Sequence, residues 1–375
     1  MDNIPEVPIA EAPSKKSFLA GVLVAVIILG GLGFYLSRPL FASYYLKKGI
    51  TEYQSGETNA LERSDFYFQK SLWWNSSDPL VHYYLARIAF GHGAPMIGYT
   101  AWIEADWPRV IEHYEKALAL GLENKDARRA EFTLSDIGMA YRKLGDYEKG
   151  DAILRQHIER YPARSFVSRY LVASDDFAIN NNPDEALKVL IPALNAEDKI
   201  DLRMFGVYTL LARLYTYASE FDKGAEYAAL AISNAPDGEK AHLDLQIAHI
   251  LLSYNEARKG HMAEAEAEIH RAEKLAGAPN LHVCYLARTY SFGKQYSKAI
   301  KTAGVALGQT PLPRSRQVCM QSLYEAHLAL GNKKEAKQYL AAYLETTDTF
   351  QPKNIFTVRE REKAKRELEL LSAGN

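Results

Sequence analysis

The chain has 375 residues, 47% hydrophobic and 24% charged, which is ordinary for a folded protein and allows two or three compact domains or one elongated array. Its formal net charge of −1 lacks the basic excess that usually marks a nucleic-acid binder, so nucleic acid is not the expected partner. Two cysteines, Cys284 and Cys319, are too few for a disulfide framework or a four-cysteine zinc site. Their spacing would let them sit on neighbouring helices, and they read as two small buried apolar residues.

Taken in chain order, residues 1–16 contain three prolines and are expected to form a disordered tail. Residues 17–36, SFLAGVLVAVIILGGLGFYL, carry no charge and are flanked by Lys15, Lys16 and Arg38. As a helix rising about 1.5 Å per residue they span roughly 30 Å, the thickness of a bilayer's hydrocarbon core, and predict a transmembrane helix. A cleaved signal peptide normally has a shorter apolar run, and no clean small-x-small cleavage signature follows. Gly21 and Ala25 make a small-xxx-small pair, which leaves self-association open. Basic residues nearly balance across the span, with Lys15 and Lys16 before it and Arg38, Lys47 and Lys48 after it. The lysine pair directly at the start of the apolar run favours a signal anchor, with a short tail inside and the bulk of the chain outside the cytoplasm.

Beyond the span the sequence reads as helix, turn, helix, with no run of alternating β-branched residues and no Asn-Gly hairpin turn. Asp78-Pro79 and Asn182-Pro183 each place an acceptor side chain before a proline, as at a helix start. Helix stops are expected at Gly145-Asp146, Asn180-Asn181-Asn182, Lys259-Gly260 and Gly331-Asn332. Thr357-Val358-Arg359-Glu360 fits a capping box opening a last helix. One stretch breaks the rhythm. Between helices expected at 80–90 and 105–120 lies a glycine-rich insertion, 91–102, carrying Met96, Tyr99 and Trp102. It is a candidate loop for contact with lipid or a membrane partner, unless it folds back and buries those side chains.

A pattern also returns about every thirty-four residues. Leu211-Ala212-Arg213-Leu214-Tyr215 is followed by Phe221, Gly224, Ala228, Ala231 and Pro236. Leu286-Ala287-Arg288-Thr289-Tyr290 is followed by Tyr296, Ala299, Ala303, Ala306 and Pro311. Ile137-Gly138-Met139-Ala140-Tyr141 is followed by Gly145-Asp146-Tyr147, Gly150, Leu154 and Pro162. Small residues such as Gly138, Ala212 and Ala287 would let a partner helix approach, and Tyr141, Tyr215 and Tyr290, one turn later, would fill the gap between helices. Periodicity at this scale predicts an all-α solenoid of antiparallel helix pairs, each too small to bury its apolar face alone.

These residues at these offsets resemble the tetratricopeptide repeat (TPR) family. The resemblance implies helix pairs stacked into a right-handed superhelix over residues 40–350. Eight units are expected, at 45–78, 79–121, 131–164, 167–200, 205–238, 246–279, 280–313 and 314–347. A polar capping helix is expected at 357–371 within a terminal segment 354–375. The family pattern also implies a concave groove lined by first helices. Arg87, Arg213 and Arg288 recur after a Leu-Ala pair, with Arg142 one turn further along its unit. In such a groove they would offer planar donors to carboxylates of an acidic peptide, with Tyr217 and Phe292 as aromatic surface beside them, unless each pairs with a local Asp or Glu. The Lys/Asn set with which some family members clamp a chaperone's C-terminal tail is not evident.

No catalytic constellation has the required spacing: there is no HExxH, no GxxxxGK[ST] and no GxSxG. His242 and His249 are two helical turns apart, too far to share an ion, and His261 and His270 lack partners at ligand spacing. Glu264, Glu266 and Glu268 alternate with alanine and read as a solvated face. No cofactor and no metal are expected. The function expected from the sequence is therefore a membrane-anchored scaffold or assembly factor that binds a protein or peptide partner near the membrane surface, without enzymatic activity. A bacterial inner membrane with the solenoid outside the cytoplasm fits best by analogy. Two alternatives are an envelope enzyme or carbohydrate-processing factor, with Trp102, Trp107 and the tyrosines as sugar platforms, and an organelle import receptor with a cytosolic domain.

Overall fold

The computed structural model describes residues 15–55, 57, 59–91, 105–178, 182–199, 201–235, 242–276, 282–309, 313–348 and 355–373. Residues 1–14 of the expected tail, and Met96, Tyr99 and Trp102 of the insertion, lie outside the described residues. All regular structure among the described residues is helical. The chain divides into two compact units, residues 1–150 and 151–375.

In the first unit, α1 (Lys15–Ser55) is one continuous helix of 41 residues with Pro39 inside it. The sequence implied a boundary between a span at 17–36 and the first repeat helix, but the structure joins them. Pro39 cannot donate an amide hydrogen. The helix continues because α2 (Ala60–Trp74) packs back along it, with Ser71 Oγ donating to Ala42 O at 2.8 Å. Among the described residues, no helix is long and apolar enough to cross a membrane. The side chains of residues 17–22, 25, 27 and 28 are outside that set.

Next come α3 (Pro79–Ala89) and α4 (Trp107–Ala119). As the sequence implied, Asp78 caps α3, accepting from Leu80 N at 3.0 Å. Asp106 caps α4, accepting from Arg109 N at 3.2 Å, which sets the helix start two residues later than expected. A short α5 (Leu122–Lys125), not foreseen, precedes α6 (Ala127–Lys143). The core of this unit is aromatic: Phe68, fully buried, stacks on Tyr84 at 5.2 Å. Its last turn begins α7 (Tyr147–Arg160), which approaches α6 closely at Gly150. A Cβ there would lie 2.6 Å from Arg142 Cγ and 2.7 Å from the Gly138 carbonyl oxygen.

In the second unit, the rest of α7 is followed by α8 (Phe166–Ala178) and α9 (Pro183–Leu190). Asn182 caps α9 as expected, and Pro192 tightens its end into a 3-10 turn, Ile191–Asn195. Then come α10 (Asp201–Tyr217), α11 (Phe221–Ser233), α12 (His242–Lys259), α13 (Met262–Ala276), α14 (Val283–Phe292) and α15 (Tyr296–Gly308). The last are α16 (Pro313–Ala329), α17 (Lys333–Asp348) and α18 (Ile355–Ala373). Consecutive helices pack in pairs, and each first helix also touches the next first helix from α10 to α16. This is the pairing an α-solenoid requires. Ala212, Ala287, Ala299 and Ala303 are fully buried, as close packing of the paired faces demands. Tyr215 and Tyr290 fill between helices, and Tyr215 stacks on Tyr227 at 5.4 Å.

The turns inside the pairs share one backbone device. Gly145, Gly260 and Gly331 hold φ of 88°, 91° and 80°, the left-handed region that costs glycine nothing. Ser219 and Lys294 occupy the same place in their pairs at φ 64° and 59°. The terminal α18 is less polar in role than expected: Ala364, Leu368 and Leu371 pack on Met320, Tyr324, Leu340 and Tyr343.

Two expectations are corrected. Cys284 and Cys319 are joined in a disulfide, with Cα atoms 4.7 Å apart, so they are not simply two small buried residues. Close contact between α14 and α16 brings their backbones within bridging distance. Glu268 is not on a solvated face. It is 6% exposed, holds His249 Nδ1 at 2.6 Å and pairs with Arg271, so a buried histidine is satisfied by a neighbouring carboxylate.

Candidate partner-binding site

The left-handed turn residue gives a common origin for the four pairs from α10 to α17. Six residues before it stand Arg213, Tyr254, Arg288 and Glu325; two residues before it stand Tyr217, Arg258 and Phe292. Positions four apart share a helix face. The row α10, α12, α14, α16 therefore carries arginine beside aromatic on α10, aromatic beside arginine on α12, and arginine beside aromatic on α14.

Packing links these side chains into a ladder. The Arg213 guanidinium lies over the Phe177 ring at 5.5 Å, and Phe177 meets Tyr217 edge-on at 5.5 Å. Arg258 donates through Nη1 to the Thr216 carbonyl at 3.2 Å, tying α12 to the end of α10. Its guanidinium sits 3.8 Å from the Phe292 centroid and 4.9 Å from that of Phe221. Tyr254 meets Phe292 edge-on at 4.9 Å. Arg288 lies over Phe292 at 4.6 Å, and its Nη1 is 2.8 Å from Glu325 Oε2. A planar guanidinium stacked on an aromatic face keeps its in-plane N–H groups for hydrogen bonding, as Arg258 does to Thr216 and Arg288 to Glu325.

Three arginines, Arg213, Arg258 and Arg288, and one glutamate, Glu325, stand at the ladder positions. Burial, and then the neighbouring Arg288, push the Arg258 guanidinium below its ordinary value. Burial pushes the Tyr254 phenol well above its own, so it stays neutral and donating. Glu325 on α16 is the ion-pair partner of Arg288. Tyr217 is 52% exposed, and Arg213 is exposed as well.

The other sequence candidates stand in the first unit. Arg87 Nη1 lies 3.2 Å from Asp136 Oδ2, which also accepts from the Tyr114 hydroxyl at 2.8 Å. That is the local pairing the alternative reading described. Arg142 packs beside Gly150 and over the Tyr147 ring at 5.9 Å. The structure brings together Arg213, Tyr217, Arg288 and Phe292. It adds Arg258, Phe221, Phe177 and Glu325, which the Leu-Ala-Arg pattern alone does not reach. Counting back from the turn residue would have found Arg258 and Glu325.

Around the alternative site, Trp107 meets Phe90 edge-on at 5.2 Å. Among the described residues, no group of three or more His, Cys, Asp or Glu side chains is arranged to hold a metal ion. His261 faces Glu256 across the Gly260 turn at 2.7 Å, and His270 faces Glu273 on its own helix at 3.5 Å, so both have acidic neighbours that the sequence did not lead one to expect.

No protein-family model matches the chain, and no curated protein matches it. Among solved structures it is similar to pilF of Pseudomonas aeruginosa, at 16% identity and a TM-score of 0.45, over 64% of this chain and 95% of that one. It is similar to the TPR domain of P58(IPK), at 15% identity and a TM-score of 0.26, over 88% and 98% of the two chains. It is also similar to yeast Tom70, at 16% identity and a TM-score of 0.37, over 89% of this chain and 64% of that one. At these scores the likenesses carry no argument, and the repeat architecture rests on the helix pairs themselves.

Proposed function

We propose that this chain is a membrane-anchored TPR-type scaffold that captures an acidic segment of a protein partner along the α10–α16 row. The observation that carries the proposal is the ladder of Arg213, Tyr217, Arg258, Arg288 and Phe292. It joins stacked guanidinium donors to aromatic surface over several consecutive units, so affinity accumulates along an extended segment. Binding, not catalysis, is the activity that such a surface provides. The anchor is supported by the uncharged run at 17–36, and by the exposure of Leu23, Val24, Val26, Leu29, Leu32 and Leu36 on α1. A disulfide persists in oxidising compartments, so Cys284–Cys319 favours placing the second unit outside the cytoplasm. A bacterial inner membrane with the repeats on its outer side accommodates both features.

The test is site-specific photocrosslinking from position 217 in intact cells, with the captured protein identified by mass spectrometry. Crosslinks are expected to map to a segment rich in Asp and Glu, and to fall at least tenfold in Arg213→Glu/Arg258→Glu. An unchanged crosslinking pattern in that variant would refute the basic-groove reading. A C-terminal reporter active only outside the cytoplasm tests the orientation; silence from a reporter that is expressed refutes it.

A further inference from the structure

The junction of α1 and α2 carries an aromatic and cationic surface that the scaffold reading does not use. Because α2 runs back along α1, its C-terminal Trp73 and Trp74 return to the level of Phe34, in the last turn of the uncharged run. Phe34 lies 6.5 Å from Trp73 and 5.3 Å from Trp74, while Phe41 stacks on Trp74 at 4.7 Å. Arg38 Nε donates to the Trp74 carbonyl at 3.1 Å, which fixes the end of α2 at that level and places a cation there. These rings are not core. Trp73 is 64% exposed, and Phe34, Phe41, Tyr44 and Phe66 are exposed as well.

The groups are ordered along α1. First comes the apolar stretch ending near Leu36, then the ring layer of Phe34, Trp73, Trp74 and Phe41, then cations. Lys48 lies 4.6 Å over Tyr67, and Lys70 lies 5.5 Å over Phe66. A cleft of about 400 Å³ opens among Tyr45, Phe66, Gln69, Lys70, Trp73 and Trp74. At about 1.5 Å per residue, Leu36 to Phe41 covers roughly 7–8 Å, comparable with the ~5–8 Å headgroup zone on one side of a hydrocarbon core. Indole and phenol rings favour that zone because one edge is apolar and the other forms hydrogen bonds, and lysines beyond it meet anionic headgroups.

We propose that this face is a lipid-docking surface: Trp73, Trp74, Phe41 and Phe66 lie in the headgroup layer of the bilayer that α1 enters. Arg38, Lys48 and Lys70 contact anionic headgroups there. The first repeat pair is thereby held against the membrane and does not swing on a flexible tether. The occupant is lipid and not a second copy of the chain, because the rings adjoin the exposed Leu29, Leu32 and Leu36 of α1 and cations border them. The inference rests on α1 being the anchor, and its test separates the two.

The intact chain is reconstituted into vesicles of equal parts phosphatidylcholine and phosphatidylglycerol, with phosphatidylcholine brominated at a shallow or a deep acyl position. Tryptophan emission of the wild type is compared with that of Trp73→Phe/Trp74→Phe, and the difference isolates the two rings. Circular dichroism of the variant checks that its helices are retained. Severalfold stronger quenching by the shallow label than by the deep one, lost in the variant, is expected. If the chain floats with the vesicles but the difference signal is unquenched, docking is overturned while the anchor stands. If a chain retaining its helices does not float, the anchor fails and docking fails with it. If the difference signal is shielded from both labels and its emission depends on the protein-to-lipid ratio, a second copy covers the face and the lipid assignment is overturned. As a second variant, Trp73→Glu is expected to reduce shallow-label quenching of the remaining Trp74 severalfold. Unchanged quenching there also overturns docking.

Discussion

Opening the Cys284–Cys319 bridge is expected to loosen α14 to α16 and little else. The bridge closes a loop of 35 residues. For a loop of that length, restriction of the unfolded chain contributes about 4 kcal/mol in the chain-entropy treatment. Both sulfurs are essentially unexposed and sit with Ala287, Ala303, Ala306 and Leu323. Reduced thiols would remain as small apolar filling, so reduction isolates the cross-link, whereas Cys284→Ala/Cys319→Ala adds a small packing loss. The assay is amide hydrogen exchange on oxidised and reduced protein. The slowest amides of α14 and α16 are compared with those around Leu190 and Leu211, which lie in a separate core of the same unit. A loss of about 4 kcal/mol corresponds to exchange faster by between two and three orders of magnitude, at about 1.4 kcal/mol per tenfold. Equal exchange in the two states would refute the reasoning. So would full thiol labelling of protein purified, without reductant, from an oxidising compartment.

Gly150→Ala tests the α6–α7 contact. Helix propensity favours alanine by about 1 kcal/mol, but a Cβ 2.7 Å from the Gly138 carbonyl oxygen cannot be absorbed by a side-chain rotation, so a net loss of about 1–2 kcal/mol is expected in urea unfolding. A stabilised variant would show that the helices separate freely there. Ser219→Gly/Lys294→Gly removes the left-handed strain at two turns. That strain costs an L-residue roughly 1–2 kcal/mol against about 0.5–1 kcal/mol of added unfolded-chain freedom, so each change is expected to raise stability by up to ~1 kcal/mol. A lowered melting temperature would contradict it.

Mild acid provides another test. His157 is 3% exposed, its Nδ1 meets Ser168 Oγ at 2.8 Å, its Nε2 is buried without a partner, and burial pushes its pKa down to about 4. The unfolded chain takes up this proton near the ordinary histidine value, and the native state does so only near 4. The stability contribution is therefore complete above about pH 6.5 and is lost as pH falls toward 4, by about 3 kcal/mol. His157→Gln is expected to flatten that part of the pH–stability curve, and an unchanged slope would refute the assignment. His113, 3.1 Å from His82 and likewise held to about 4, first by burial and then by His82, adds the same sign in the first unit.

Much of the architecture was written in local chemistry. Asp78 and Asn182 before prolines, glycines at 145, 260 and 331, and the alanines at 212, 287, 299 and 303 each act within one helix or one turn. Their meaning therefore survives reading along the chain. The helix-pair boundaries follow from them. What the linear pattern could not supply was anything that depends on which helices become neighbours. Arg87 and Arg288 occupy the same sequence slot, and each meets a carboxylate supplied by another helix, Asp136 of α6 or Glu325 of α16, which the slot itself does not specify. Arg258 joined the ladder only once α10, α12 and α14 lay side by side.

The run at 17–36 announced its apolarity from sequence. Its continuation through Pro39 into the first repeat, and the return of Trp73 and Trp74 to Phe34, depended on α2 folding back. The cysteine pairing was likewise decided by the approach of α14 to α16. The amino-acid sequence determined the periodicity, the helix ends and the small faces, since these are set by backbone preference and side-chain volume. Tertiary packing decided the charge partners, the cross-link and the composition of the candidate site, since these are contacts between residues that the chain itself keeps far apart.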